Sequence, residues 1–500
     1  MKYALCRGAA SRCGMSSNLH ILLLLRRLTV PGLALLLAGC AATHQSKIGE
    51  SLNDVAQGQL DSALVKVNAQ LTGDAADDVL LNLEKGELLR LASDYPGSLT
   101  AFEVADSSVK SWEETAKSAT SEVFKQAGAT LLGDGSRDYE VQDYEKVMLT
   151  TVMALDRLAM GDLDTARVDI KRTHEREAII AEFRARQTAA AEEEAKENGA
   201  QVQSAELSGY PVETLNDPEV LALKNGYQNA LSHYLSGFVY EALNEPSLAA
   251  PGYRKAIELR PGTSVLDAAL SGLDGRPAAQ RKNGATDVLF VVEVGHAPAR
   301  QSRTFMFPVP TPNGLVTVGM SYPVIEAGSD GPAVDTIRVG STELQAGLVA
   351  DFNVMARRAL KDDLPGMQAR AAVRMIAKAA AQAVVNKELG PLAGLLGNIV
   401  AAVAEPPADD RMWRMLPGRI YVARGFLAPG EYELALPGTG QPPQQLSVGG
   451  RHMIVPVRAL AATTYYGKAG QFGNLASLQP SGKPAKKKAR KAPAAQSAAL

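Results

Sequence analysis

The sequence predicts an α+β chain of several domains, with irregular α-helical hairpin repeats first and then a mixed α+β domain carrying an inserted helical segment. Three observations predict it. Small and apolar residues recur at helical spacing in the first half, in segments that echo one another. The period changes to β-favouring alternation near residue 285. Helical patterning then returns between two groups of strands, over 344–404. With 500 residues, 46% of them hydrophobic, the chain has enough apolar material for two or three globular domains.

The first element, 1–39, reads as an export signal. Lys2, Arg7, Arg12, Arg26 and Arg27 make the start basic, with no acid to offset them. Leu28 to Ala38 is an apolar core of signal-peptide length, short for a bilayer span. Leu37-Ala38-Gly39-Cys40 follows: small residues that let a chain enter a peptidase groove, then a thiol able to carry a thioether-linked diacylglycerol. These residues resemble the lipobox of bacterial lipoproteins, so Cys40 is the expected lipidation site. Ala41 follows it rather than Asp, and the resemblance then implies the outer membrane, periplasmic face. Met1 and Met15 are both candidate starts. Cys6 and Cys13 leave with the signal, so the mature chain is expected to form no disulfide, cysteine nucleophile or zinc cluster. It keeps 47 basic against 54 acidic residues, a net −7, which together with export excludes nucleic acid as a partner.

The helical region is expected over 40–275. Its sharpest pattern is "HYLSGFVYEALNEPSLAAPGYRKAIELRPG". Gly237 takes a small position where two helices cross, and Tyr240 an aromatic one. Ala249, Tyr253 and Ala256 follow on a second helix, and Pro261 closes the unit. A weaker copy places Gly86, Leu89, Ser98, Phe102 and Ala105 at the same spacings. A third places Ala154, Gly161, Ala166 and Ile170, and "GDLDTARVDIKR" at Gly161 echoes "GQLDSALVKVNAQ" at Gly58. The spacing resembles the tetratricopeptide repeat, although His233 and Ser236 depart from its usual Trp and Leu. Leu at Gly237 or Ala249 is expected to force the helices apart. The charged stretch from Thr173 to Asn198 reads as a long helix projecting from the stack, with a solvated face.

From 285 to 460 an α+β domain is expected. "TDVLFVVEVG", "RTFMFPVP" and "GLVTVGMSYPVI" read as strands of one sheet. The helical insert 344–404 is expected to split at Pro365. Its end, "GPLAGLLGNIVAAVAEPP", reads as a core helix, or as a segment dipping into a membrane. "GRIYVARGFLAPGEYELAL" reads as a hairpin turning at Pro429-Gly430, and "RHMIVPVRAL" as a last strand. Trp413 reads as an anchor between insert and sheet. Residues 461–500 form a disordered basic tail with two open readings: attraction to an anionic envelope polymer or lipid, or solubility alone.

No catalytic or metal constellation emerges: there is no H-E-x-x-H, G-x-S-x-G or P-loop, and no cofactor is expected. Glu293, His296 and Arg300, close together in "EVGHAPAR", are the one weak site candidate. Glu293→Gln is expected to have little effect on stability. "DYEKVMLTTVMALDRLAMGDLDTARVDIKR", "VVEVGHAPAR" and "DDRMWRMLPGRIYVAR", with the lipobox, resemble a family of uncharacterised proteobacterial periplasmic lipoproteins that have a tetratricopeptide-like start and a β-rich end. Members tend to be encoded near an outer-membrane lipoprotein that activates a penicillin-binding protein, so the resemblance implies cell-envelope work, peptidoglycan included. Two functions follow. One is a non-enzymatic scaffold that binds envelope proteins through a concave face of the helical repeats. The alternative is an enzyme that modifies envelope glycan or peptidoglycan with acidic residues of the α+β domain.

Overall fold

The computed structural model describes residues 44–119, 139–197, 211–311, 314–328, 330–368, 374, 378–379 and 407–474. Cys40 with the signal, most of the expected insert and the Lys-rich stretch lie outside them. From Ile48 onward the described residues form one compact unit.

Four helical hairpins build its first part. They are α1 (His44–Ala56) with α2 (Leu60–Gln70), α3 (Val79–Leu91) with α4 (Tyr95–Ser118), α5 (Asp143–Ala159) with α6 (Leu163–Glu197), and, after the short α7 (Val212–Leu215) and α8 (Pro218–Ala222), α9 (Ala230–Ala242) with α10 (Pro246–Leu259). In each pair the first helix stops at a residue of positive φ: Gly58, Ser93, Gly161 and Asn244. The next N–H donates back to the carbonyl five residues upstream: Gln59 to Asp54, Asp94 to Leu89, Asp162 to Arg157 and Glu245 to Tyr240, all at 2.8–2.9 Å. This stop satisfies an orphan carbonyl and turns the chain within a few residues. Asp94 and Asp162 then cap the second helix, accepting from the N–H of Gly97 and of Thr165.

The crossings share one geometry. Gly86 lies against the Phe102 ring and Gly237 against the Tyr253 ring, sixteen residues on in both cases; a Cβ on either glycine would overlap the ring. At the same offset the third hairpin has Ala154 and Ile170, and the first has Ser51 and Val67, all buried. Ala105, Ala166, Ala249 and Ala256 are buried on the second helices. Gly161 therefore serves at the helix stop, not at the crossing. Tyr240 is partly buried, and Pro261 is exposed just beyond α10.

The charged run after Thr173 is a long helix with a solvated side, where Glu175, Glu182, Glu192 and Glu193 are exposed, but its arginines are not on that side. It continues α6 unbroken, and Arg176 is buried, donating to Asp106 at 2.9 Å and to the Lys146 carbonyl at 2.8 Å. Arg184 holds Asp143 through two nitrogens, at 2.7 and 3.0 Å. These arginines tie α6 to α4 and α5, where buried carboxylates need cations.

Two further helices, α11 (Ser264–Ser271) and α12 (Arg276–Asn283), lead into the sheet. At its centre β1 (Thr286–Val294) is parallel to β9 (His452–Ala459) and antiparallel to β6 (Arg419–Leu427). Outside β9 lies β10 (Thr464–Tyr466), and β11 (Gly470–Phe472) also pairs with β9. Outside β6 follow β5 (Thr342–Asp351), β4 (Thr336–Val339), β7 (Gly430–Ala435) and β8 (Gln444–Val448). Every residue of β1 is buried. Leu289 and Val291 face a core shared with the helices, whereas Val288, Phe290, Val292 and Val294 face a second core within the strand region.

Several expectations fail here for identifiable reasons. β2 (Arg300–Thr311) and β3 (Gly314–Ile325) pair with each other as a separate two-stranded ribbon, not with the main sheet. β6 and β7 are not a hairpin: both edges of β6 are taken by β1 and β5, so β7 crosses to β4. The chain expected as helix from residue 344 is strand β5 until Asp351, whose side chain accepts from the Val354 N–H. Helix α13 (residues 352–368) starts there and contains Pro365 without a break. Beyond residue 460, β10 and β11 extend the sheet into the expected tail.

Candidate functional site

The first helices of the hairpins carry acids and an arginine at positions where a helix packed on an apolar core would have aliphatic residues. On α3, Glu84, Glu87 and Arg90 are buried; on α5, Glu145 and Asp156; on α9, Glu241. Most have partners in the strand region, although Asp156 is held by Arg90 and Ser98 of the hairpins. Glu84 accepts from the backbone N–H of Arg414 at 2.8 Å and of Met415 at 2.7 Å. Glu145 accepts from the Trp413 N–H at 2.8 Å and the Gln142 N–H at 2.9 Å, and from the Tyr139 hydroxyl. Trp413, fully buried, stands edge-on to Phe102 with ring centroids 5.6 Å apart. It anchors its segment on the helical hairpins; most of the insert expected beside it lies outside the described residues. Arg424 of β6 reaches Glu241 at 3.0 Å, Asp287 of β1 at 2.8 Å and the Tyr253 hydroxyl at 2.8 Å. This face of α3, α5 and α9 is thus covered by the chain's own strands and by residues 413–415.

Glu293, His296 and Arg300 do not converge. Glu293 shares a buried cluster with Arg90, at 2.9 Å, and Arg458, at 3.5 Å. Arg90 also holds Glu87 at 2.9 Å and Asp156 at 2.8 Å, and Asp156 accepts from the Ser98 hydroxyl at 2.7 Å. Three carboxylates face two guanidiniums here. Burial, opposed by Arg90, pushes Glu87 and Asp156 each up to about 7. Glu293 is therefore held as a structural acid, and its replacement should cost stability rather than be the neutral change that the sequence suggests. His296 pairs instead with Asp330, ring Nδ1 to Oδ2 at 3.2 Å, and burial lowers its pKa.

Arg300 opens β2 and lines a cleft of about 240 Å³. Asp143 and Tyr144 from α5, Arg184 from α6, Tyr227 from the loop before α9, and Asp362 and Asp363 from α13 line it too, with Ala181, Ile325, Ala356, Ala359 and Leu360 as apolar wall. Gly226 sits so close to α13 that a Cβ would strike the Ala359 backbone, which holds this loop against the helix. Arg184 holds Asp143 well below the usual carboxylate range, against the opposing effect of burial. Arg358 binds Asp362 at 2.7 Å. Arg300 has no such partner, and its Nε is shielded from solvent without a hydrogen bond. Sequence reasoning found Arg300 for a different reason and missed the rest, which come from separate stretches with no shared motif.

Among the described residues no cluster of His, Cys, Asp and Glu is arranged to hold a metal, and no helix is long and apolar enough to cross a membrane. No family model, curated protein or solved structure matches this chain.

Proposed function

We propose that the protein is an outer-membrane-anchored periplasmic lipoprotein, without catalytic activity, that serves as a protein-binding scaffold in cell-envelope biogenesis. Its hairpins are read as tetratricopeptide-like repeats. The observation that carries this reading is the common geometry of four hairpins, with one helix stop and one small-against-large crossing repeated through the stack. Repeats of this kind build extended surfaces rather than reaction centres. The lipobox at Cys40 supports the anchor, and the basic residues after 480 offer a second contact with anionic envelope polymer. Because the inner face of α3, α5 and α9 is occupied by the chain itself, the partner is assigned to the outward side of the second helices. There Val65, Val168 and Leu248 are 69%, 52% and 51% exposed.

A photo-crosslinking residue placed at Val168 and at Leu248 in growing cells tests this. Both positions should capture the same envelope protein, and Met306 on the ribbon should not. Capture from Met306 alone, or from none of the three, would rule the assignment out.

A further inference from the structure

We infer that the cleft between α5, α6 and α13 is a binding site for a small molecule that carries a single carboxylate on an apolar body, with Arg300 as its anchor. This goes beyond the scaffold role and does not depend on it.

The inference rests on the charges of the cleft. Arg184 is satisfied by Asp143, and Asp362 by Arg358. Arg300 is the guanidinium in the cleft wall with no carboxylate within ion-pair distance among the described residues, and its Nε meets neither solvent nor an acceptor. A half-buried cation left in this state is costly unless a ligand completes it. A guanidinium offers a planar fork of donors that matches a carboxylate or a phosphate. The other charges choose between the two. Asp143, Asp362 and Asp363 line the same cleft. Asp143 and Asp362 are already neutralised by their arginines, so Arg300 leaves one positive charge to match; a carboxylate brings one charge to it, whereas a phosphate dianion brings two. The remaining wall supplies apolar contact through Ala181, Ile325, Ala356, Ala359 and Leu360. Tyr144 and Tyr227 complete it. Burial pushes the Tyr227 phenol up to about 12, so it remains a neutral donor. The volume, about 240 Å³, lies just below the range of roughly 300–1,000 Å³ usual for drug-sized ligands, so the ligand is a small one.

A carboxylate of this kind can be a free short-chain acid or the end of a peptide. Hexanoate and N-acetyl-alanyl-alanine represent the two sources. Each is titrated into the millimolar range against the full chain in detergent, and binding is read by thermal shift and calorimetry. At least one should bind, and the one that binds names the source. The corresponding amide should bind roughly tenfold or more weakly, since it lacks the charge. Arg300→Gln should abolish the shift while leaving the ligand-free melting temperature unchanged or higher, because no protein partner is lost. Arg300→Lys should retain part of the affinity, as a point charge without the fork. Three results would overturn the inference: no shift with either carboxylate, equal binding of acid and amide, or inorganic phosphate binding as well as the carboxylates. A fall in ligand-free melting temperature in Arg300→Gln with carboxylate binding intact would make Arg300 a structural residue and overturn it as well. The acid-against-amide comparison uses the unmodified chain and needs no variant to fold.

Discussion

Arg90 joins three carboxylates from α3, α5 and β1, and Arg458 of β9 faces the same group. With two cations and three acids, the cluster is neutral only when it keeps one proton, which Glu87 and Asp156 compete for at about pH 7. An acid whose pKa rises on folding stabilises the chain fully below its unfolded value, and that contribution is lost as pH climbs through the folded value. The cluster should therefore weaken the fold between about pH 5 and 8. His174, which burial lowers to about 4, and His296 act in the opposite direction in the acid part of that range. The difference between wild type and Glu293→Gln isolates the cluster. In the variant, two acids face two guanidiniums and no proton is needed. Its stability deficit, measured by urea unfolding, should shrink by roughly 1–3 kcal/mol from pH 5 to pH 8. A deficit that is constant or grows with pH would mean that the cluster holds no proton.

At the scale of the element, the hairpins depend on glycines that cannot carry a side chain. The Phe102 and Tyr253 rings opposite Gly86 and Gly237 are fully buried, each with three ring atoms within 2.7 Å of where a Cβ would stand. Gly86→Ala and Gly237→Ala should each cost about 1–3 kcal/mol through overpacking. Gly49, inside α1, has nothing within 4 Å of a Cβ, so Gly49→Ala should be neutral or stabilise by up to ~1 kcal/mol through helix propensity. Melting temperatures of the three variants check this, and equal effects at all three sites would show that the crossings are not close-packed. Gly86, Gly237 and their rings were legible in the sequence because the spacing is local: both partners lie within one hairpin. Ser93, which holds the same left-handed stop as Gly58 and Gly161, was not, since serine does not announce that conformation; Asn244 carried a weak signal, because asparagine adopts it more readily than most residues.

At the scale of the molecule, helices and strands share buried ion pairs, so neither half has a finished surface without the other. Removing the strands would leave Glu84, Arg90, Asp156 and Glu241 facing water or one another on an otherwise apolar face. The two parts should unfold as one. The chain has two tryptophans, Trp112 on α4 and Trp413 before β6. In Trp112→Phe, the fluorescence of Trp413 reports the docking of the strand region, and far-ultraviolet circular dichroism reports the helices. Their urea midpoints should coincide. Separate midpoints would restore the picture of two independent domains.

The sequence by itself determined the alternation of helix and strand classes, the hairpin crossings, and β1 and β9 as strands. Each of these depends on periodicity or on residues a few turns apart, and such patterns survive in one dimension. Only the tertiary structure decided which edges pair. "GRIYVARGFLAPGEYELAL" looks like a hairpin until β1 and β5 occupy both sides of β6, and the ribbon strands look like sheet members until no sheet edge accepts them. It also decided what the charges do. Glu293 and Arg300 stand seven residues apart and read as one site, yet β1 turns Glu293 toward Arg90 while β2 places Arg300 in a cleft whose other walls come from α5, α6 and α13. A charge takes its role from the partner it meets, and in this chain those partners lie up to hundreds of residues away, beyond the reach of any local pattern.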